Sequence, residues 1–168
     1  STLTMAGVNI AREKAKVAKA LNDIDAIKLA IEMLVNDTGK SPGHQPAYTI
    51  QTGAAAGNNE YCGVDEASNS CGARTLDSES AGLVSNDSVT PYDNWQGPYM
   101  KSIPLDAWGH EYFFDTDYSV DANGIPQDCP SSLAPYQSVV AIGSYGSDGL
   151  AVPTGTYSCD DIIKIILK

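Results

Sequence analysis

The four cysteines of this 168-residue chain could form either disulfides or a metal site, and their spacing distinguishes the two. Cys62, Cys71, Cys129 and Cys159 include no pair about two to four residues apart, the spacing that zinc sites usually show. Disulfides are therefore favoured over a metal centre, and they imply the periplasm, the cell surface or the exterior. Of the three possible pairings, Cys62–Cys71 with Cys129–Cys159 is preferred, because residues 58–72 form one local loop. Four buried thiols in a cytosolic protein are the alternative.

Catalytic chemistry has little support in the sequence. The two histidines, His44 and His110, lie in unrelated surroundings, a Pro/Gly loop and a W-G-H-E-Y turn. Glu111 follows His110, but neighbouring residues in a strand point to opposite faces, so this pair does not indicate acid–base catalysis. No G-x-S-x-G, H-E-x-x-H or P-loop motif occurs. We therefore expect no enzymatic activity.

An acidic stretch follows the aromatic residues near position 113. It fails the EF-hand pattern, because its glycine is misplaced relative to the acidic positions and no Glu stands at the twelfth place. The sequence therefore predicts a solvated hairpin tip here rather than a cation site. The residues concerned are Asp115, Asp117, Asp121, Asn123 and Asp128.

The charge balance limits the possible partners. The chain has 21 acidic and 10 basic side chains, a formal net charge of −11. Nucleic acid is excluded as a partner, because phosphate binding needs a basic surface. Divalent cations, or a basic surface on another subunit, fit this balance better. No apolar run approaches the roughly 18 to 20 residues that cross a bilayer, and residues 1–5 show no signal-peptide pattern.

The elements that must position these residues begin with one long helix. Between Met5 and Asn36 there is no Pro, and apolar residues recur at helical spacing. Gly39 and Pro42 are expected to end the helix. At about 45 Å it exceeds the diameter of a compact domain of this size, about 40 Å, so we expect its first half to project. The predicted buried face consists of Val17, Leu21, Ile24, Ile27, Ile31, Leu34 and Val35.

The sequence of the remainder of the chain predicts loops followed by a small sheet. Residues 41–93 are rich in Gly, Ala, Ser and Asn and predict mostly loop, held together by Cys62–Cys71. Strand patterns follow at Glu111–Phe114, Gln137–Ile142 and Asp161–Leu167. The sequence therefore predicts a single α+β domain, with a helix over residues 1–40 packed on an antiparallel sheet within a head over residues 41–168.

Three motifs, taken together with the helix, resemble a known family. They are W-Q-G-P-Y-M-K at Trp95–Lys101, P-L-D-A-W-G-H-E-Y at Pro104–Tyr112, and S-Y-G-S-D-G at Ser144–Gly149. In this order they resemble the major pseudopilin of type II secretion systems, within the type IV pilin-like class. The resemblance covers the helix and about residues 95–162. It does not cover residues 47–89, which are interpreted as an insertion.

The resemblance implies a pilin-like fold and a structural function. The chain is expected to be a subunit that polymerises into a periplasmic pseudopilus with other pseudopilins and secretion-machinery proteins. The alternatives are a type IV pilus subunit at the cell surface and a soluble calcium-dependent binding module. The family's N-terminal apolar segment is absent from these residues. We therefore expect anchoring at the periplasmic face of the inner membrane by a segment that precedes them.

The resemblance also implies a calcium site. Carried over residue by residue, its side-chain ligands are Asp148, Asp160 and Asp161, with backbone carbonyls between Gly143 and Gly149. Calcium prefers about six to eight oxygen ligands from carboxylates and carbonyls.

The distribution of charge along the chain suggests how copies assemble. Four basic residues lie on the first half of the helix, whereas from Ser41 onward there are four basic and sixteen acidic residues. A basic stalk on an acidic head suits head-to-tail contacts, which build open helical filaments. The residues assigned to assembly are Arg12, Lys14, Lys16 and Lys19.

Overall fold

The computed structural model describes residues 2–52, 60–63, 74–127, 129–149 and 159–167, with side chains from residue 7 onward. Helix α1 spans Thr2–Thr38 and is followed by a two-stranded ribbon and a three-stranded sheet, which confirms the α+β class. A short 3-10 turn, Glu79–Ala81, lies between the ribbon and the sheet. The strands are β1 (Lys40–Ser41), β2 (Gln45–Pro46), β3 (Phe113–Val120), β4 (Gln137–Ser144) and β5 (Ile162–Leu167).

Helix α1 buries one face in its C-terminal half. Ala20, Ile24, Ile27, Ile31 and Leu34 recur at spacings of three and four residues, and each is fully buried. Residues 7–19 include no buried side chain, so the first half of the helix is not packed into the core of the head.

Two residues of the predicted buried face are exposed instead. Val17 is 38% exposed and Leu21 is 44% exposed, so placing them on the buried face was wrong. With 3.6 residues per turn, both lie to one side of the stripe that begins at Ala20. The apolar character of the residues did not show where the buried face begins, because its first residue is Ala20 rather than Val17.

The helix ends where the sequence predicted. The N–H of Gly39 donates to the carbonyl of Val35 at 2.8 Å, and Gly39 has φ +69°. A left-handed residue at this position satisfies a carbonyl of the last turn, which is why glycine is favoured there. The hydroxyl of Thr38 donates to the carbonyl of Leu34 and closes the same turn.

Strand β4 is the centre of the three-stranded antiparallel sheet, with β3 and β5 at its edges. Phe114 pairs with Ile142, and Ile142 pairs with Lys164. An irregularity in β3 between Asp115 and Tyr118 shifts the register. As a result Phe114 belongs to the core beneath the helix, whereas Tyr118 packs in a second cluster.

The acidic stretch is not a solvated hairpin tip. Asp115 and Asp117 lie within β3, which continues to Val120 rather than ending at Phe114 as the sequence predicted. Asp121 is fully buried and accepts hydrogen bonds from the N–H groups of Asn123 and Ile125, so it fixes the turn. Asp128 lies outside the described residues.

The loops between the ribbon and β3 contribute to the core. Leu76, Ala81 and Leu83 are buried together with the apolar face of α1, so part of the range 47–89 packs against the helix. The backbone of Tyr61 pairs with that of Phe114 through two hydrogen bonds of 2.9 and 2.8 Å. This pairing joins the segment 60–63 to the edge of the sheet.

Three of the four cysteines lie among the described residues. Cys62 is disulfide-bonded, and its predicted partner, Cys71, lies outside the described residues. Cys129 and Cys159 are thiols, the first buried and the second exposed, so the predicted Cys129–Cys159 bridge is not formed. Backbone hydrogen bonds to the carbonyl of Pro126 and from Ser132 hold Cys129 in its own turn. A disulfide would require its Cα to lie within about 7 Å of its partner's.

Candidate functional site

Asp106 joins two of the three sequence motifs. Its Oδ1 accepts hydrogen bonds of 2.8–2.9 Å from the backbone N–H groups of Trp108, Gly109 and His110. Its Oδ2 accepts the hydroxyl of Ser144, which is fully buried, at 2.6 Å. The aspartate of P-x-D-x-W-G therefore holds its own turn closed and binds the serine that begins S-x-G-x-D-G.

The first motif fixes the neighbouring loop and the end of α1. Trp95 donates through Nε1 to the carbonyl of Gly82 at 2.7 Å. The backbone N–H groups of Tyr99 and Met100 both donate to the carbonyl of Leu83. The hydroxyl of Tyr99 donates to Asp37 near the end of the helix at 2.9 Å.

A set of polar contacts attaches the middle of α1 to the head. The indole N–H of Trp108 donates to Glu13 at 3.3 Å, and the ammonium group of Lys16 lies 5.6 Å from the centre of the Trp108 ring. Lys19 donates to the carbonyl of Leu105 and pairs with Asp23. Asp23 also accepts the hydroxyl of Tyr112 at 2.7 Å. These contacts set the direction in which the helix leaves the head.

The four predicted assembly residues therefore fall into two pairs. Lys16 and Lys19 contact the head of their own chain. Arg12 and Lys14 are exposed on the part of α1 that has no buried side chain. Only the second pair is placed to meet another copy without first breaking a contact within the chain.

The predicted calcium ligands lie at a turn that the second motif supports. His110 donates through Nδ1 to the carbonyl of Gly146 at 3.2 Å. Gly146 has φ +66°, and a Cβ there would lie 2.3 Å from the carbonyl oxygen of Asp160, so the close approach requires glycine. This turn and residue 160 are therefore packed directly against each other.

Two of the three predicted calcium ligands are in contact here, through the carboxylate of Asp160 and the backbone of Asp148. Oδ2 of Asp160 accepts the N–H and hydroxyl of Ser147 at 2.7 Å and the N–H of Asp148 at 3.2 Å. Asp161 instead accepts the hydroxyl of Tyr118 at 2.7 Å. Residues 150–158, which complete the loop between them, lie outside the described residues.

A different carboxylate cluster does converge. Among the residues that the structure describes, Glu60, Asp115 and Asp117 are the one set of three potential metal ligands whose atoms all lie within 4.8 Å of one another. Burial, and then the neighbouring carboxylates, raise the pKa of Glu60 to about 8. Burial raises the pKa of Asp115 to about 7. Sequence analysis missed Glu60, because only the pairing of Tyr61 with Phe114 brings it to β3.

Helix α1 also carries an exposed stripe of apolar side chains. Ile10, Val17 and Leu21 are 59%, 38% and 44% exposed, and spacings of seven and four residues place them on one side of the helix. No helix among the described residues is both long and apolar enough to cross a membrane.

Comparisons with known proteins agree with the motifs. The family model described as type II secretion system (T2SS), protein G, matches residues 76–125. Both Trp95–Lys101 and Pro104–Tyr112 lie within the match, which confirms the resemblance drawn from them. The match begins at residue 76, inside the range 47–89 that was interpreted as an insertion.

One solved structure is similar over most of the chain. The crystal structure of the major pseudopilin from the type 2 secretion system of enterohaemorrhagic Escherichia coli is 21% identical, with a TM-score of 0.47. The alignment covers 92% of this chain and 90% of that one. A comparison with curated proteins finds no match.

Proposed function

We propose that this chain is a structural subunit of a pseudopilus, the periplasmic filament that polymerises to drive protein export by type II secretion. The observation that carries the proposal is the match of residues 76–125 to the family of the type II secretion protein G. Within that match, Asp106 and Trp108 connect the turn to the sheet and to α1. Their contacts support a role for these motifs in holding the helix on the head rather than in catalysis.

The exposed half of α1 supports polymerisation. Ile10, Val17 and Leu21 form an apolar stripe that the head leaves uncovered. Burial of such a stripe against another helix is favourable, at about 25 cal/mol for each Å² of apolar surface removed from water. In this proposal the stripe packs against helices of neighbouring copies in the filament core, and the acidic heads form the outer surface.

Charge supports the same arrangement. Arg12 and Lys14 are exposed on the projecting helix, and the head carries most of the acidic residues. Attraction between the helix of one copy and the head of the next is a head-to-tail contact, which repeats without closing. Individual exposed pairs are worth only about 0–1 kcal/mol, so they orient the subunits more than they hold them together.

The proposal extends to the location of the chain and its partners. The subunit would be associated with the periplasmic face of the inner membrane. Its partners would be further copies of the same chain, other pseudopilins and the secretion machinery. The resemblance of the motifs to the major pseudopilin supports these assignments.

Acidic substitutions in the apolar stripe should prevent assembly. Ile10→Glu combined with Val17→Glu, introduced into the complete protein in cells, should abolish filaments and secretion, because each helix contact would bury unpaired carboxylates. In residues 1–168 the same changes should leave the melting temperature unchanged, since both side chains are exposed. Electron microscopy, a secretion assay and thermal melts provide the three measurements.

The matched control is Val89→Glu combined with Leu133→Glu. It makes the same change at two exposed apolar residues of the head, which are 89% and 69% exposed. Filaments and secretion should persist in this variant. Normal filaments from the helix variant would contradict the proposed packing of α1.

We also propose a calcium ion in the loop between β4 and β5. Asp160 and Asp148 are its side-chain ligands in this proposal, supported by the close packing of residue 160 on the Gly146 turn. Asp161 is the third side-chain ligand in this proposal: its Oδ2 accepts the hydroxyl of Tyr118, and its other oxygen, Oδ1, would bind the ion. Oxygen donors of this kind suit calcium, and the backbone carbonyls between Gly143 and Gly149 would complete its coordination.

Calcium should raise the melting temperature of residues 1–168 relative to chelator. Ligand binding to the folded state alone stabilises it by about 2.7 kcal/mol at a hundred times Kd. In Asp160→Asn, calcium should raise the melting temperature by less than in the unmodified chain, because the loop site is lost. In Asp93→Asn, at an exposed position, the rise should be the same as in the unmodified chain. Equal calcium responses in the two variants would contradict the loop site.

A further inference from the structure

Glu60, Asp115 and Asp117 come together because two segments pair. The backbone bonds between Tyr61 and Phe114 align residues 60–63 with the start of β3. Glu60 therefore lies beside Asp115, its neighbour across the pairing. Asp117 follows two residues later, and its N–H donates to Oδ1 of Asp115 at 2.8 Å. One carboxylate oxygen from each of the three residues lies within 4.8 Å of the other two.

One carboxylate oxygen of Glu60 is buried without a hydrogen-bond partner. The residue is only 7% exposed, and the oxygen concerned is Oε1. A buried polar atom left in this way destabilises the folded state, and more so when it is charged. Three carboxyl groups at this site thus require either shared protons or further positive charge.

We propose that Glu60, Asp115 and Asp117 bind a hard divalent cation, with calcium as the preferred ion. All three offer carboxylate oxygens, which are the ligands of calcium and magnesium rather than of zinc or copper. Both oxygens of a carboxylate can ligate calcium, so three carboxylates can supply most of its six to eight ligands. The bound ion neutralises the cluster and gives Oε1 of Glu60 its missing partner.

The ion would join two parts of the head that are distant in sequence. Glu60 precedes the disulfide-bonded Cys62, and the two aspartates lie in β3. Cation binding therefore attaches the loop segment to the edge of the sheet, in addition to the backbone pairing of Tyr61 with Phe114. The site shares no residue with the proposed loop site at Asp148 and Asp160, so the two can be separated by substitution.

The test is a calcium titration of residues 1–168 in the Asp160→Asn background, which disables the loop site. By isothermal titration calorimetry, this variant should still bind one calcium ion. Adding Glu60→Gln should weaken that binding by about tenfold or more, because calcium affinity follows the number of charged ligands. Adding Glu32→Gln instead makes the same change at a residue on α1 paired with Lys28, and it should leave binding unchanged.

Two results would overturn the proposal. The first is loss of all calcium binding in Asp160→Asn alone, which would leave the cluster held by shared protons. The second is equal affinity in the Glu60→Gln and Glu32→Gln variants. Should Glu60→Gln fail to fold by circular dichroism, Asp117→Asn, at a half-buried position, carries the same comparison. Filament assembly is read independently by the Ile10 and Val17 variant, so failure of one proposal does not imply failure of the other.

Discussion

Replacing Asp106 with alanine should lower the free energy of unfolding by about 3–5 kcal/mol, among the largest effects of any single change in the head. The carboxylate accepts three backbone N–H groups through Oδ1 and the buried hydroxyl of Ser144 through Oδ2. Alanine removes all four acceptor contacts, and the buried hydroxyl of Ser144 loses its acceptor. Urea unfolding of residues 1–168 measures the loss.

Two further variants separate the contribution of the Asp106 hydrogen bonds to stability from that of its charge. Asp106→Asn keeps the shape and one acceptor oxygen, so its loss should be clearly smaller than that of the alanine variant. Asp93→Asn removes one exposed charge and should change stability by no more than about 0.5 kcal/mol. An alanine variant as stable as the unmodified chain would show that the turn does not depend on Asp106.

Phe114→Ala should be comparably severe, with a loss of about 3–5 kcal/mol. The side chain is fully buried in the core beneath α1, and its strand position is fixed by pairing with both Tyr61 and Ile142. Because the backbone is held on two sides, the cavity cannot collapse easily, and its cost adds to the lost apolar burial. Chemical unfolding again provides the measurement.

The matched control for Phe114 is an exposed apolar residue. Leu133→Ala, at a position that is 69% exposed, should change stability by no more than about 0.5 kcal/mol. Phe114→Leu should fall between the two, since it keeps most of the apolar volume. Equal midpoints for Phe114→Ala and Leu133→Ala would mean that the core adjusts around this position.

Local pattern predicted the regular elements well. Helix α1, its end at Gly39 and the strands β4 and β5 follow from periodicity and from glycine and proline positions, all of which act over a few residues. Strand β3 was predicted too short because Asp115 and Asp117 interrupt its apolar pattern. In the fold their side chains converge with that of Glu60, and no local signal in the sequence shows that convergence.

Contacts between distant residues account for what the sequence did not show. The motif residues Asp106 and Ser144 could be recognised as a pattern, but the hydrogen bond that joins them appears only in the fold. Glu60 comes to β3 through the backbone of Tyr61, which carries no side-chain signature. The predicted Cys129–Cys159 bridge failed for a related reason, since spacing along the chain does not give the distance between two Cα atoms.

The uneven burial of α1 makes one continuous helix behave as two energetic units. Residues 7–15 include no buried side chain, whereas Ile27, Ile31 and Leu34 are fully enclosed. A free helical segment this short is marginal in water, so its amide hydrogens can exchange by local fraying. Around Ile31, exchange requires opening of the core. Contacts from neighbouring copies would supply the packing interactions that the first turns of α1 lack. Each subunit added to a filament would therefore complete the folding of its own helix at the growing end.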